Sequence, residues 1–270
     1  MANKQSTQRS VSGYGWQPDL PDNRDFMYAA IMGVKKKLPS SVDLRSQCPA
    51  QVYDQGQLGS CTANSIAGAF EFELLKQSSP DFMPSRLFIY YNERVLENTV
   101  NTDAGAQIRD GIKTVNAQGV CPEDLWPYSI TEFTQKPHLA CYTDALTHLV
   151  TSYHRIATDI TQMKSCLADG YPFVFGFTVY DGFESPQVAK SGILNMPATG
   201  EKVVGGHAVL AVGYDDAKKM IIVRNSWGSG WGLNGYFMMP YAYISNPNLA
   251  DDFWTIRLVE NNPAMKKPKK

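Results

Sequence analysis

Residues 54–75 read DQGQLGSCTANSIAGAFEFELL, and the change of character at Cys61 sets the order for the rest of the chain. Before it, Gly56 and Gly59 allow a tight polar loop. After it, Ala63, Ile66, Ala67, Phe70 and Leu74 recur at helical spacing. The stretch is a loop that delivers a cysteine to the first turn of a helix. A thiol there faces unsatisfied N–H groups and the positive end of the macrodipole, which favours the thiolate. A cysteine by itself is more often a small buried residue among alanines, so its meaning depends on what the chain brings to it.

Two further helical patterns follow, Ser85–Leu96 and Ala106–Ala117, the second closed by Gly119. After about residue 150 the texture changes. YPFVFGFTVY, GGHAVLAVGY, KKMIIVRNSW and GYFMMPYAYI are short runs of β-branched and aromatic residues separated by Gly and Asp turns. Helices first and strands later describe an α+β chain, not an alternating α/β one.

His207 opens one of these strands and Asn225 closes the next, with Asp215–Lys218 as the turn between them. A hairpin centred on position 216 places His207 opposite Asn225, and a bulge would move that register by a residue. An amide facing an imidazole accepts one ring N–H and leaves the other nitrogen for a thiol. His138, His148 and His154 have no such partner in sequence. Gln55, behind the two glycines, can bring its amide in front of Cys61 and join the Cys61 backbone N–H as an oxyanion donor. A lone loop glutamine is otherwise plain solvent-facing polarity.

The bulk numbers remove other classes. The 270 residues are 43% hydrophobic and 19% charged, an ordinary globule of one or two domains. A net charge of -1 argues against a nucleic-acid partner. The short lysine runs Lys35–Lys37 and Lys266–Lys270 read as solvated linker and tail. No apolar run is long enough for a membrane helix. The start, MANKQSTQRSVSGYGWQPDL, shows no apolar secretory core, which leaves the compartment open. The five cysteines, Cys48, Cys61, Cys121, Cys141 and Cys166, form no C-x-x-C pair and leave at least one thiol unpaired within the chain. With no H-E-x-x-H among four histidines, neither a metal site nor a cofactor is expected. Gly230, Gly232 and Gly235 satisfy G-x-G-x-x-G, but a Pro-broken aromatic run follows where a dinucleotide site needs a helix and a parallel strand.

The stretches Gln55-Gly56 through Gly59-Ser60-Cys61, Gly206-His207-Ala208-Val209, and Asn225-Ser226-Trp227-Gly228 with Trp231-Gly232 and Gly235-Tyr236 stand in an order that resembles the papain family of cysteine peptidases. The resemblance covers about residues 39–260, and the arm before it resembles the short pro-segments of bacterial members. It implies a two-domain fold: a helical left domain, roughly 48–150, and an antiparallel β-barrel-like right domain, roughly 151–260, with the cleft between them. It further implies Cys61 as nucleophile, His207 as base, Asn225 as its orienter, Gln55 in the oxyanion hole, and Trp227 as a shield over the His207–Asn225 bond. Gly105 and Ala106 would pair with substrate backbone, and Gly206 would line the cleft. The segment LADDFW, Leu249–Trp254, would floor the second subsite, where Asp251 or Asp252 would favour a basic residue two positions before the cut. The competing reading of that segment is a solvated acidic turn.

Three positions depart from the family pattern: Leu58 where a disulfide cysteine is usual, Thr62 in place of an aromatic, and Ala106 in place of a second glycine. No paired-histidine loop is present, which points to an endopeptidase and not a carboxydipeptidase. The expected reaction is peptide hydrolysis through an acyl-enzyme by a monomer acting on protein or peptide substrates. Transfer of the acyl group to an amine, or a non-catalytic binding role on the same scaffold, are the alternatives.

Residues 1–38 read as an extended arm joined at LPSSVDLR. Tyr14, Trp16, Phe26 and Tyr28 need a surface to cover, and Pro18 and Pro21 keep the stretch extended. The expectation is a zymogen whose arm, through Tyr14 and Trp16, inhibits the cleft, with Lys35–Lys37 as a processing site. The alternative is a permanent strap packed away from the cleft.

Overall fold

A computed structural model describes residues 13–35 and 37–261, so Lys36 and the Lys266–Lys270 tail lie outside the described residues. In chain order the elements are β1 (Trp16–Gln17), α1 (Tyr28–Ile31), β2 (Ser41–Asp43), α2 (Cys61–Lys76), α3 (Arg86–Leu96), β3 (Ala106–Gln107), α4 (Ile108–Ala117) and α5 (Leu139–Ala145). There follow β4 (His148–Ile156), α6 (Ile160–Ala168), β5 (Phe173–Tyr180), α7 (Pro186–Ser191), β6 (Val203–Asp215), β7 (Met220–Arg224), β8 (Tyr236–Pro240), α8 (Tyr241–Ile244) and β9 (Ala250–Asn261).

Helix α2 is buried at every residue from Cys61 to Leu74, as suits a helix whose apolar residues are not confined to one stripe. It packs on α3 and α4 on one side and on β6 and β9 on the other, which makes it the spine between the helical half and the sheet. Helix α3 starts where Ser85 Oγ accepts the Phe88 N–H at 3.1 Å. Helix α4 ends at Gly119, in the left-handed region at φ +76°.

The sheet has seven strands, in the order β4-β9-β5-β6-β7-β8 with β2 also on β6, and all pairings in it are antiparallel. This is the expected α+β architecture, although the sheet is open and not a closed barrel. Strand β5 carries buried Phe173, Phe175 and Phe177, which with Phe253 and Phe237 make an aromatic core on the sheet.

Two expectations are corrected. The third helix begins at Ile108, because Ala106 and Gln107 are drawn into parallel pairing with Trp16 and Gln17 of the arm. The arm is extended only in part: Tyr28–Ile31 turns into a short helix, with Tyr28 fully buried and its hydroxyl donating to Asp169 Oδ2 at 2.8 Å. Trp16 is also buried, whereas Phe26 stays 58% exposed at the edge of the Tyr153 ring. Lys35 pairs with Asp169 at 2.8 Å. Leu58 is buried, and all five cysteines are free thiols.

Candidate active site

Cys61 is the first residue of α2 and has no solvent exposure. The loop before it is held from outside: the Asp103 carboxylate accepts the Gly59 N–H at 3.0 Å through both oxygens, and Tyr90 donates to the same carboxylate. Ser60 Oγ lies 2.5 Å from Tyr128 Oη, which donates to the Gln55 carbonyl at 2.8 Å. Burial pushes the Cys61 thiol up to about 11. The backbone N–H groups of Ala208, Gly15 and Thr62 act in the opposite sense. Ala208 follows His207 on β6, so the sheet half meets the thiol directly. Gly15 belongs to the arm.

The Nε2–H of His207 donates to Asn225 Oδ1 at 2.8 Å, and the Ser226 N–H donates to the same oxygen at 2.9 Å. Two donors on one oxygen fix which way the amide points. With Nε2 engaged by Asn225, Nδ1 is the ring nitrogen available to serve a thiol. The register behind this contact differs from the one expected. β6 and β7 pair Leu210 with Arg224 and carry a bulge between Ala211 and Gly213. Extending that register puts Asn225 two residues from the position facing His207, so the two are diagonal neighbours on one face, within side-chain reach. The Trp227 ring stacks on His207 at 5.2 Å and 27°, and is itself packed by Phe183 and Trp231 at 5.2 and 5.1 Å.

Gln55 is fully buried, with its Nε2 donating to the Leu58 carbonyl at 2.9 Å and its Oε1 accepting from Ser226 Oγ at 2.6 Å. The amide thus ties the loop before Cys61 to the residue after Asn225. Sequence reading gave no role to Ser226 or to Asp103, since their partners lie 171 and 44 positions away.

The arm runs across this constellation. Ala106 N–H donates to the Gly15 carbonyl at 2.7 Å, and Gln17 Nε2 donates to the Ala104 carbonyl at 3.2 Å. A Cβ at Gly15 would overlap the Gly59 carbonyl, and one at Gly105 would overlap Gly15 itself, so the chain passes where only bare backbone fits. Tyr14 sets its ring 5.8 Å from His207, edge to face, and donates to Glu184 Oε1 at 2.7 Å. The Trp16 indole fills a slot beside Gly206 and Gly176, where a Cβ on Gly176 would overlap the ring. Gly176 has no positive φ, so the glycine there meets close approach and not a backbone requirement.

Asp252 closes the slot. Its Oδ2 accepts from the Trp16 indole N–H at 3.0 Å and from the Asp19 N–H at 2.8 Å, while Arg155 lies 3.0 Å from Oδ1. With the arm in place it is 1% exposed, and Asp251 also reaches Arg155, at 3.4 Å. Burial first, then the Asp19 charge, push the Asp252 carboxyl up to about 7. Among the described residues no group of acidic, histidine or cysteine side chains is arranged to hold a metal, and no helix is long and apolar enough to cross a membrane.

Comparison with known proteins gives consistent matches. The family described as papain family cysteine protease matches residues 38–252. An uncharacterised peptidase C1-like protein of Acanthamoeba polyphaga mimivirus is 46% identical over 91% of this chain and 87% of its own. The crystal structure of xylellain, a cysteine protease from Xylella fastidiosa, is 48% identical and superposes with a TM-score of 0.86 over 92% of this chain and 97% of its own. A digestive procathepsin L 3 of the Tenebrio molitor larval midgut, at 23% identity and a TM-score of 0.69 over 92% and 76% of the two chains, shares the fold.

Proposed function

The chain belongs to the papain family of cysteine proteases, and from that membership we propose that it is an endopeptidase made with its own arm over the cleft. Cys61 is the nucleophile, His207 the base and acid, Asn225 the orienter of His207, and Gln55 with the Cys61 N–H the oxyanion donors. The thiolate attacks the scissile carbonyl to form a C–S bond, the negative charge moves onto the carbonyl oxygen, and His207 gives its proton to the leaving amine. Water activated by His207 then cleaves the thioester and returns the free thiol. Trp227 keeps water off the His207–Asn225 bond, which raises its worth. Gly105, Ala106 and Gly206 bind substrate backbone, and Asp252 ends the pocket beside them. Residues 1–38 form the inhibitory arm, with Tyr14 and Trp16 as its anchors, ahead of a helical half and a sheet half in residues 39–270.

One observation carries the reading. The arm lies on Cys61 as continuous chain, with Gly13 and Tyr14 on one side of Gly15 and Trp16 and Gln17 on the other. A groove that admits polypeptide on both sides of the thiol suits cleavage within a chain. Burial that keeps the thiol protonated suits a covered, inactive form.

The test is turnover of internally quenched peptides by the activated protein and by Cys61→Ala. Loss of several orders of magnitude in kcat is expected, since the nucleophile is removed. Near wild-type cleavage by pure Cys61→Ala would sink the proposal. Product analysis with a competing amine separates hydrolysis from transfer: the amide product dominating over acid would replace the first with the second.

A further inference from the structure

Two arginines of the body, Arg109 on α4 and Arg155 on β4, converge on two carboxylates of the arm. Asp25 accepts from Arg109 Nε at 3.0 Å and Nη2 at 2.6 Å, and from Arg155 Nη1 at 3.1 Å. Asp19 accepts the backbone N–H of Arg109, in the first turn of α4, at 3.1 Å, and the indole N–H of Trp254 at 2.9 Å. The side chains of Arg109, Asp19 and Asp25 are 5%, 0% and 6% exposed. The hydrogen bonds described for the Arg109 guanidinium all go to the arm, the remaining one to the Leu20 carbonyl. Arg155 differs, since it also faces Asp252 and Asp251 of the body.

Arg109 is buried with the arm in place, and when the arm leaves, its guanidinium gives up every acceptor described for it and meets water. Its surroundings, a bidentate fork, a helix N-terminus and an indole N–H, are those that bind carboxylate. The position is also continuous with the cleft. Ala106 and Gln107 pair with Trp16 and Gln17 and lead directly into α4, so a peptide held on β3 is carried onto Arg109. We propose that, once the arm is displaced, Arg109, Arg155, Trp254 and the first turn of α4 form an exosite for acidic segments of protein substrates. This rests on the reading that the arm, Asp19 and Asp25 included, leaves the body in the working enzyme.

The experiment uses the full chain carrying Tyr14→Ala, Trp16→Ala, Asp19→Asn and Asp25→Asn, which keeps the arm attached but removes its anchors over the cleft and its two carboxylates. Three labelled peptides are titrated by fluorescence anisotropy: a copy of residues 17–28, the same peptide with asparagine for both aspartates that match positions 19 and 25, and an unrelated sequence with two glutamates at that spacing. Both acidic peptides are expected to bind about tenfold or more tightly than the amide form, as charge-assisted bonds in a buried site imply. The advantage should shrink with added salt, vanish on adding Arg109→Gln, and return in part with Arg109→Lys, which keeps the charge without the fork. If thermal melting shows Arg109→Gln to be unfolded, Arg155→Gln takes its place. Equal affinity for acidic and amide peptides, or a preference that neither arginine variant alters, overturns the exosite. Cleavage of a neutral quenched peptide by the same chain is read separately. Its absence, with the acidic preference intact, counts against the displaced-arm protease and supports the site.

Discussion

At the scale of single residues, the work at the site is divided unequally. In the proposed reaction His207 has to move a proton, whereas Asn225 only has to hold a ring. His207→Ala should therefore cost kcat toward the upper end of what acid–base groups supply, about 10³-fold or more, and Asn225→Ala toward the lower end, about 10²-fold or less. Single-turnover rates on a quenched peptide check the order, and an Asn225→Ala protein more damaged than His207→Ala would mean the roles are exchanged. The position of Cys61 was legible from local sequence, because a glycine loop meeting a helical period marks a helix start. The nearness of His207 and Asn225 was legible for a looser reason. The pairing read from the turn is offset by two residues from the one observed, and the contact survives because same-face neighbours two apart still reach each other. Ser226 and Asp103 were not legible, since each acts on a backbone or amide far away in sequence.

At the scale of elements, pairing overrides propensity where the arm meets the body. Ala106 fits a helix by pattern, but its N–H is used by the Gly15 carbonyl, and α4 starts two residues later. The glycine in FVFGFTVY, Gly176, is the floor under an indole. For an arm that opens as proposed, that slot makes closure depend on pH. Asp252 faces Trp16 and Asp19 of the arm, Asp251 on its own strand and Arg155 on β4. Burial and the Asp19 charge raise its carboxyl to about 7, and burial raises Asp19 as well, while Arg155 opposes both. Groups raised in the closed form favour closure when protonated. Their contribution is full below the ordinary carboxylate range, near 4, and is lost as pH rises through about 7. Arm opening should thus increase between about pH 5 and pH 8. The measurement is the tryptophan emission of the full chain across that range, with a Trp16→Phe chain as reference. Asp252→Asn should flatten the profile, and an arm that opens more at pH 5 than at pH 8 would contradict the argument.

At the scale of the whole molecule, the arm meets the body in two places. Residues 13–17 lie over Cys61 and His207, whereas Phe26–Ile31 lie on the body, with Tyr28 buried and Arg155 N–H donating to the Phe26 carbonyl at 2.8 Å. The sequence presented cover and strap as alternatives, because four aromatics in a polar arm call for a surface without saying which surface. The geometry sets Tyr14 and Trp16 beside the cleft residues and Tyr28 in the body, and two truncations test whether cover and strap are separate tasks. Removing residues 1–17 should uncover the thiol, raise kcat/KM on a neutral peptide by at least about tenfold, and cost only part of the stability the whole arm supplies, because buried Trp16 is lost while Tyr28 and the Asp25–Arg109 pair remain in place. Removing residues 1–38 should uncover the thiol equally and in addition cost stability. Re-exposing the Tyr28 side chain alone is worth about 2 kcal/mol, and Arg109 loses both of its carboxylates. A synthetic copy of residues 13–28 should then inhibit the shorter chain competitively and raise its melting temperature as it binds. If the first truncation leaves activity at the level of the full chain while the second lowers stability and activity together, the whole arm is a strap. The covering of Cys61 by Gly15 would then have no inhibitory consequence.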